Sequence, residues 1–310
     1  MHRPSLFALI ACVALAIPTA AGAFALNPGD ILISNHGGSE VQRLDPVNGN
    51  VSTLVSVTGT PIGLAFDTGG NLYINEGQGI LRYDKGTNVL TTLFTGSGQR
   101  EGLAFDPTSN HLFSVSFGGN HIEEVDLTGN LVRNISIPNT TNLLGISARG
   151  GNLLVADYGT GQIFTGSTTG SSFGLVGALT PSNTYAVDID SFGNIYANDF
   201  ATGQNWRFTP SGGGYAGSVF IAGLSAPANG LSIGDDNSLT ISEFGANAVS
   251  VWNSDGSLRQ RYSGIQNPDE LVVWAPLRTN PGPTVPEPGS LMLLGLGVAG
   301  FAVSRRFRQD

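Results

Sequence analysis

Between residues 30 and 276 the apolar positions fall in short runs separated by glycine, asparagine and aspartate, and no window sustains a 3.6-residue period. Short runs bounded by turn residues predict β-strands, and the missing helical period predicts no helices in this span. The runs recur in register. Gly63-Leu64-Ala65-Phe66-Asp67 returns as Gly102-Leu103-Ala104-Phe105-Asp106, and looser copies begin at Gly145, Ala186, Gly230 and Glu270, at spacings of 39, 43, 41, 44 and 40 residues. A second run follows each of the first five copies after a turn: Leu72–Asn75, Leu112–Val115, Leu153–Ala156, Ile195–Asn198 and Leu239–Ser242. A third and a fourth come next, as in Ile80–Tyr83 and Val89–Phe94. Gly69-Gly70-Asn71 and Gly193-Asn194 lie between the first and second runs, and residues of these types supply the positive φ that tight hairpins need.

A period near 41 residues with four strands per unit is that of propeller blades. The first unit, Asp30 to Val57, holds the second, third and fourth runs without the first. The missing run appears at the far end as Glu270-Leu271-Val272-Val273-Trp274. A closed ring resolves this, with the C-terminal strand completing the N-terminal blade and removing the open edges that an unclosed propeller would expose. The expectation is an all-β, six-bladed propeller over residues 24–276.

The two ends read as addresses. Residues 1–23 have a basic start (His2, Arg3), an apolar run from Leu6 to Ile17 and the A-x-A site Ala21-Gly22-Ala23, which together predict a secretory signal peptide. Leu9-Ile10-Ala11-Cys12 matches a lipobox, but the apolar run continues past Cys12 where a lipobox should close it. Cleavage after Ala23 removes the only cysteine, and with it any thiol nucleophile or thiolate metal site. At the other end, residues 277–288 carry four prolines and predict an extended spacer, and residues 289–304 are uncharged and mostly apolar. As a helix these 16 residues would reach about 24 Å, short of the roughly 30 Å of a bilayer core, so they predict a short membrane-spanning segment within a 289–310 anchor. Arg305, Arg306 and Arg308 place its end on the cytoplasmic side.

The order Val285-Pro286-Glu287-Pro288, apolar segment, arginine cluster resembles the PEP-CTERM sorting signal of Gram-negative bacteria. The resemblance implies export, transient anchoring through residues 289–304, and recognition or cleavage near Pro286-Glu287-Pro288 by an exosortase-type membrane enzyme. It also implies association with the cell surface and exopolysaccharide. The body resembles NHL-type and related six-bladed propellers, through its repeated G-hydrophobic-A-hydrophobic-D and G-N-hydrophobic-Y patterns.

Composition agrees with a loop-rich β fold: 44 of 310 residues are glycine, and charged residues are only 12%. Residues 24–286 hold 10 basic against 21 acidic side chains, and no basic run. That excludes nucleic acid as a partner, because a phosphate backbone needs a cationic face.

Chemistry is sparse. The three histidines outside the signal peptide, His36, His111 and His121, read as turn residues, and no H-E-x-x-H, G-x-S-x-G or Walker sequence is present. Any metal would therefore take oxygen ligands, which points to calcium or magnesium. The residues immediately before the first run of each unit are Ile62, Glu101, Leu144, Tyr185, Asn229 and Asp269, and equivalent positions in a propeller form a ring about its axis. Glu101, Asn229 and Asp269 resemble the Glu, Asn and Asp with which the gluconolactonase and senescence-marker family of six-bladed propellers holds a divalent cation. The resemblance implies Asp269 as the base that helps metal-bound water open a lactone. The chain departs from that family in needing a two-blade permutation, and Leu144 and Tyr185 supply no amide ligand. Asp188 stands in a row otherwise made of Ala65, Ala104, Ser147, Ser232 and Val272, where it is expected to be buried or to face the channel. Two functions follow. The favoured one is a non-catalytic surface propeller that binds polysaccharide, protein or another matrix component; the other is a metal-dependent hydrolase or lyase using Glu101, Asn229 and Asp269.

Overall fold

The computed structural model describes residues 26–118, 120–179 and 183–275. The expected signal peptide (1–23), the proline-rich spacer (277–288), the sorting residues Val285 to Pro288, the apolar segment 289–304 and the arginines beyond it lie outside them. Among the described residues no helix is long and apolar enough to cross a membrane.

The body is an all-β, six-bladed propeller, and each blade is a four-stranded antiparallel sheet. Blade 1 runs outward from the axis as Pro268–Val273, Ile31–Asn35, Glu40–Leu44 and Val51–Ser56. Blade 2 is Pro61–Phe66, Leu72–Glu76, Gly79–Asp84 and Val89–Thr95, and blade 3 is Arg100–Asp106, His111–Ser116, His121–Asp126 and Leu131–Ser136. Blade 4 is Leu143–Arg149, Asn152–Asp157, Gln162–Ser167 and Phe173–Ala178. Blade 5 is Thr184–Ile189, Ile195–Asp199, Gln204–Ser211 and Gly214–Ile221, and blade 6 is Ala228–Ile233, Leu239–Glu243, Ala248–Trp252 and Leu258–Ser263.

Blade 1 thus takes its innermost strand from the far end of the described chain. Ile31, Leu32 and Ile33 pair with Val273, Val272 and Leu271. Beyond the strands, Gly29 N donates to Trp274 O and Trp274 N to Asp30 O, at 2.8 and 2.7 Å.

Burial follows the sequence pattern. Innermost and second strands, flanked by neighbouring blades, are buried on both faces and rich in apolar residues. Outermost strands such as Val51–Ser56 are largely exposed and mix Ser and Thr with the apolar residues. Six hydrophobic clusters hold the ring, one between each pair of adjacent blades. Between blades 3 and 4, Phe113, Val115 and Ile122 meet Leu143, Leu153 and Val155. Between blades 6 and 1, Val249 and Val251 meet Ile31, Ile33 and Leu271. Burying a side chain of this size contributes about 1.5–3 kcal/mol.

The hairpin turns behave as their residue types demand. Gly70 and Gly193 take φ of +86°. Asp67 accepts from the backbone N–H of Asn71 and from the Tyr73 hydroxyl, and Asp190 repeats this with Asn194 and Tyr196. Asp157 and Glu243, at the ends of second strands, accept from loop N–H groups of Thr141 and Ser225, so these acids hold the turns.

Candidate functional site

Each innermost strand begins with a β-bulge. In blade 3 the pairing jumps from Arg100↔Ser116 to Leu103↔Ser114, so Glu101 and Gly102 stand opposite one residue, Val115. The same shift separates Pro61 from Leu64, Leu143 from Ile146, Thr184 from Val187, Ala228 from Leu231 and Pro268 from Leu271. A bulge bends its strand and re-aims side chains. Its first residue is the ring Ile62, Glu101, Leu144, Tyr185, Asn229, Asp269 found in the sequence. Its second is Gly in four blades, because the strands crowd at the axis. A Cβ on Gly63 would lie 2.4 Å from Glu101 O, and one on Gly102 would lie 2.6 Å from Leu144 O.

Neighbouring blades fasten these bulges. Asn75 Nδ2 donates to the carbonyls of Glu101 and Gly102 at 2.6 and 3.0 Å, and Asn198 does the same for Asn229 and Gly230. Ser242 Oγ accepts from Gly230 N and donates to Asp269 O.

The three candidate residues are all buried: Glu101 is 6% exposed, Asn229 4% and Asp269 1%. Asp269 is the hub. Its Oδ1 accepts from Asn229 Nδ2 and from the Tyr185 hydroxyl, each at 2.7 Å, and its Oδ2 accepts from His36 Nδ1 at 3.0 Å. Glu101 makes no hydrogen bond to Asp269 but is near enough for the two charges to act on one another, and its Oε1 accepts from Gln99 at 3.0 Å. Burial first, then the Asp269 charge, push Glu101 up to about 7. The hydrogen bond to Asp269 holds His36 above its usual value despite partial burial. Burial, then the Asp269 charge, raise Tyr185 well above an ordinary phenol.

Two of these residues had different sequence readings. His36 does lie in a turn, but its ring reaches the site. Asn35 pairs with Pro268 and His36 N donates to Asn267 O, which sets its ring against Asp269 and edge-to-face with Phe244, the ring centres 6.1 Å apart. The signal was the register of the closing strand pair, which places whatever follows Asn35 beside whatever surrounds Pro268. Tyr185 has no amide to offer, yet its hydroxyl is a donor to the hub. His111, by contrast, starts a strand on which its ring bonds Glu124, at 2.6 Å.

The cation implied by the lactonase resemblance does not fit this arrangement. Calcium wants six to eight oxygens and magnesium six, largely from carboxylates, carbonyls and water. Asp269 already spends both oxygens on three protein donors, and Asn229 turns its amide nitrogen to Asp269, leaving its Oδ1 buried without a partner. Among the described residues no three or more His, Cys, Asp or Glu side chains are grouped to hold a metal ion. The arrangement instead fixes an imidazole on a buried carboxylate, with the ring half exposed (51%) and Nε2 left for other partners.

The PEP-CTERM protein-sorting motif matches residues 284–306. The chain carries that signal. It marks an exported, cell-envelope protein for processing by an exosortase, a membrane enzyme. No curated protein matches the chain in sequence. Solved structures share its fold. One, from a nidogen/laminin complex, has a TM-score of 0.70 at 17% identity, covering 78% of this chain and 97% of that one. A catalytically inactive virginiamycin B lyase from Staphylococcus aureus, solved with quinupristin, has a TM-score of 0.59 at 16% identity, covering 78% and 87%. A streptogramin B lyase has a TM-score of 0.60 at 15% identity, covering 78% and 83%.

Proposed function

We propose that this is an envelope-displayed binding propeller, sorted through its C-terminal motif, whose ligand docks on the end of the ring where His36, Glu101, Tyr185, Asn229 and Asp269 meet. One observation carries the reading: a fully buried Asp269 locks a half-exposed histidine onto a rigid ring of strands. A pre-organised polar group on a rigid scaffold suits recognition of a hydroxyl-rich ligand such as the surface polysaccharide that accompanies PEP-CTERM proteins. The test is calorimetric titration of the protein with exopolysaccharide from the producing bacterium. Saturable binding weakened at least tenfold by His36→Ala supports the reading, and equal binding by the two proteins, or none by either, overturns it.

The domain boundaries complete the proposal: a leader at 1–23, a spacer at 277–288 and a transient membrane anchor at 289–310. Replacing Pro286, Glu287 and Pro288 by Ala is expected to leave the tail attached, read as the intact C-terminal peptide by mass spectrometry.

A second reading has its own support, a His36 close enough to feel the charge of Glu101, whose carboxyl is pushed up to about 7. Two such groups suit acid–base elimination. His36 Nε2 takes a proton from carbon, the C–O bond beta to it breaks as the double bond forms, and protonated Glu101 gives its proton to the departing oxygen. Two of the similar structures are lyases, which fits this chemistry without naming a substrate. The reading expects ultraviolet absorbance from an unsaturated product in the same titration mixture, with a bell-shaped pH profile abolished by His36→Ala; no absorbance change removes it.

A further inference from the structure

The axial channel holds a group that the end-face site does not use. Along the innermost strands runs a cavity of about 340 Å³. Its walls are mainly apolar, with Leu64, Leu103, Ile146, Val187, Leu231 and Leu271 at equivalent stations. Glu270 also lines it. This residue is the second of the blade 1 bulge, the station filled by Gly63, Gly102, Gly145 and Gly230 in blades 2, 3, 4 and 6 and by Ala186 in blade 5. Where crowding in four other blades leaves no room for a Cβ, blade 1 places a carboxylate.

The backbone of Glu270 is fastened on both sides by Ser34, whose Oγ accepts from Glu270 N at 2.9 Å and donates to Glu270 O at 3.1 Å. Its carboxylate has no comparable hold. Among the described residues only the Leu271 N–H supports it, and no side chain donates to it. Glu270 lies deep within the ring yet keeps some accessible surface, because that surface belongs to the cavity. The charges acting on it, Asp269, Glu101 and Asp188, are all negative. Asp188 is itself satisfied by Ser147 Oγ and by the N–H groups of Ile189 and Ile233, at 2.7–2.8 Å. Of the bases near the channel, His36 is taken by Asp269, and Arg149 donates to Ile189 O at 2.6 Å. Burial and these repulsions hold Glu270 well above the ordinary carboxyl range.

A mainly apolar cavity whose Glu270 carboxylate, unlike that of Asp188, has no side-chain donor and sits in a negative field is the complement of a small organic cation. We propose that the axial channel binds a ligand with a protonated amine and a short aliphatic body, the ammonium on Glu270 and the carbon chain along the leucine stations. The proposal does not depend on how the His36 end face is read.

The test is calorimetry on the full-length protein at neutral pH with n-hexylamine hydrochloride as probe, beside n-hexanol and calcium chloride. Saturable hexylamine binding is expected, while hexanol binds at least tenfold more weakly. Glu270→Gln keeps the shape and removes the charge. Glu270→Gly restores the residue of four other blades, so it is expected to fold; both variants should lose hexylamine binding at least tenfold. His36→Ala should leave it within about twofold. Equal affinity for hexanol, unchanged binding in the Glu270 variants, or displacement of hexylamine by calcium would each overturn the proposal.

Discussion

The bulge ring divides into two arcs built on one backbone. In blades 2 and 4 the first bulge residues are Ile62 and Leu144, which are buried and apolar. In blades 5, 6 and 1 they are Tyr185, Asn229 and Asp269, joined to one another and to His36 by hydrogen bonds. Both arcs share the register shift, and Asn75 and Asn198 clamp the following bulge in the same way on opposite sides of the ring. The repeat therefore supplies six equivalent stations, and chemistry enters through side chains that change nothing in the backbone. Glu101 stands apart in blade 3, facing the polar arc across the axis through charge alone.

The contrast can be broken most severely at its hub. Asp269→Ala leaves the Tyr185 hydroxyl and the Asn229 amide buried without an acceptor, at roughly 1–3 kcal/mol each. Thermal melting should fall by about 10 °C for a loss of about 4 kcal/mol in a ring of this size.

The next effect has the opposite sign and depends on pH. Glu101 is raised from 4.5 to about 7, so the folded state holds its proton more tightly than the unfolded chain. Its contribution is present below 4.5 and lost as pH climbs to 7, a change of about 3 kcal/mol. Glu101→Gln should therefore melt higher than the parent at pH 8 and no higher at pH 4. Melting curves at the two pH values check both halves of the statement.

The shared backbone is probed by Gly102→Ala, whose added methyl meets Leu144 O at 2.6 Å. It should cost about 2 kcal/mol, read from the midpoint of urea unfolding. The smallest effect belongs to the apolar arc. Ile62→Val removes one buried methylene from a station with no polar partner, so about 1 kcal/mol is expected, with ligand binding at the His36 face unchanged.

Much of the architecture was legible from local order. Strand runs, turn residues and a period near 41 are properties of neighbouring residues, and the displaced run at Glu270–Trp274 had only one vacant place in blade 1. The candidate residues Glu101, Asn229 and Asp269 were legible for the same reason, since a repeat makes stations comparable. Asp188 stood out in its row and is indeed buried against the channel, held by Ser147 and two N–H groups.

The sequence by itself determined the repeat, the number of blades and the sorting signal, because each is written in residues close together along the chain. Only the tertiary structure decided what those stations do. His36 and Asp269 are 233 residues apart and meet because the last strand closes the first blade. Whether Asp269 serves a cation or a histidine depends on the direction in which Asn229 and Tyr185 point their donors, and that direction is set by the bulge. Glu270 reads in the sequence as one more strand residue; closure of the ring turns it into a carboxylate enclosed with an apolar cavity and surrounded by like charge.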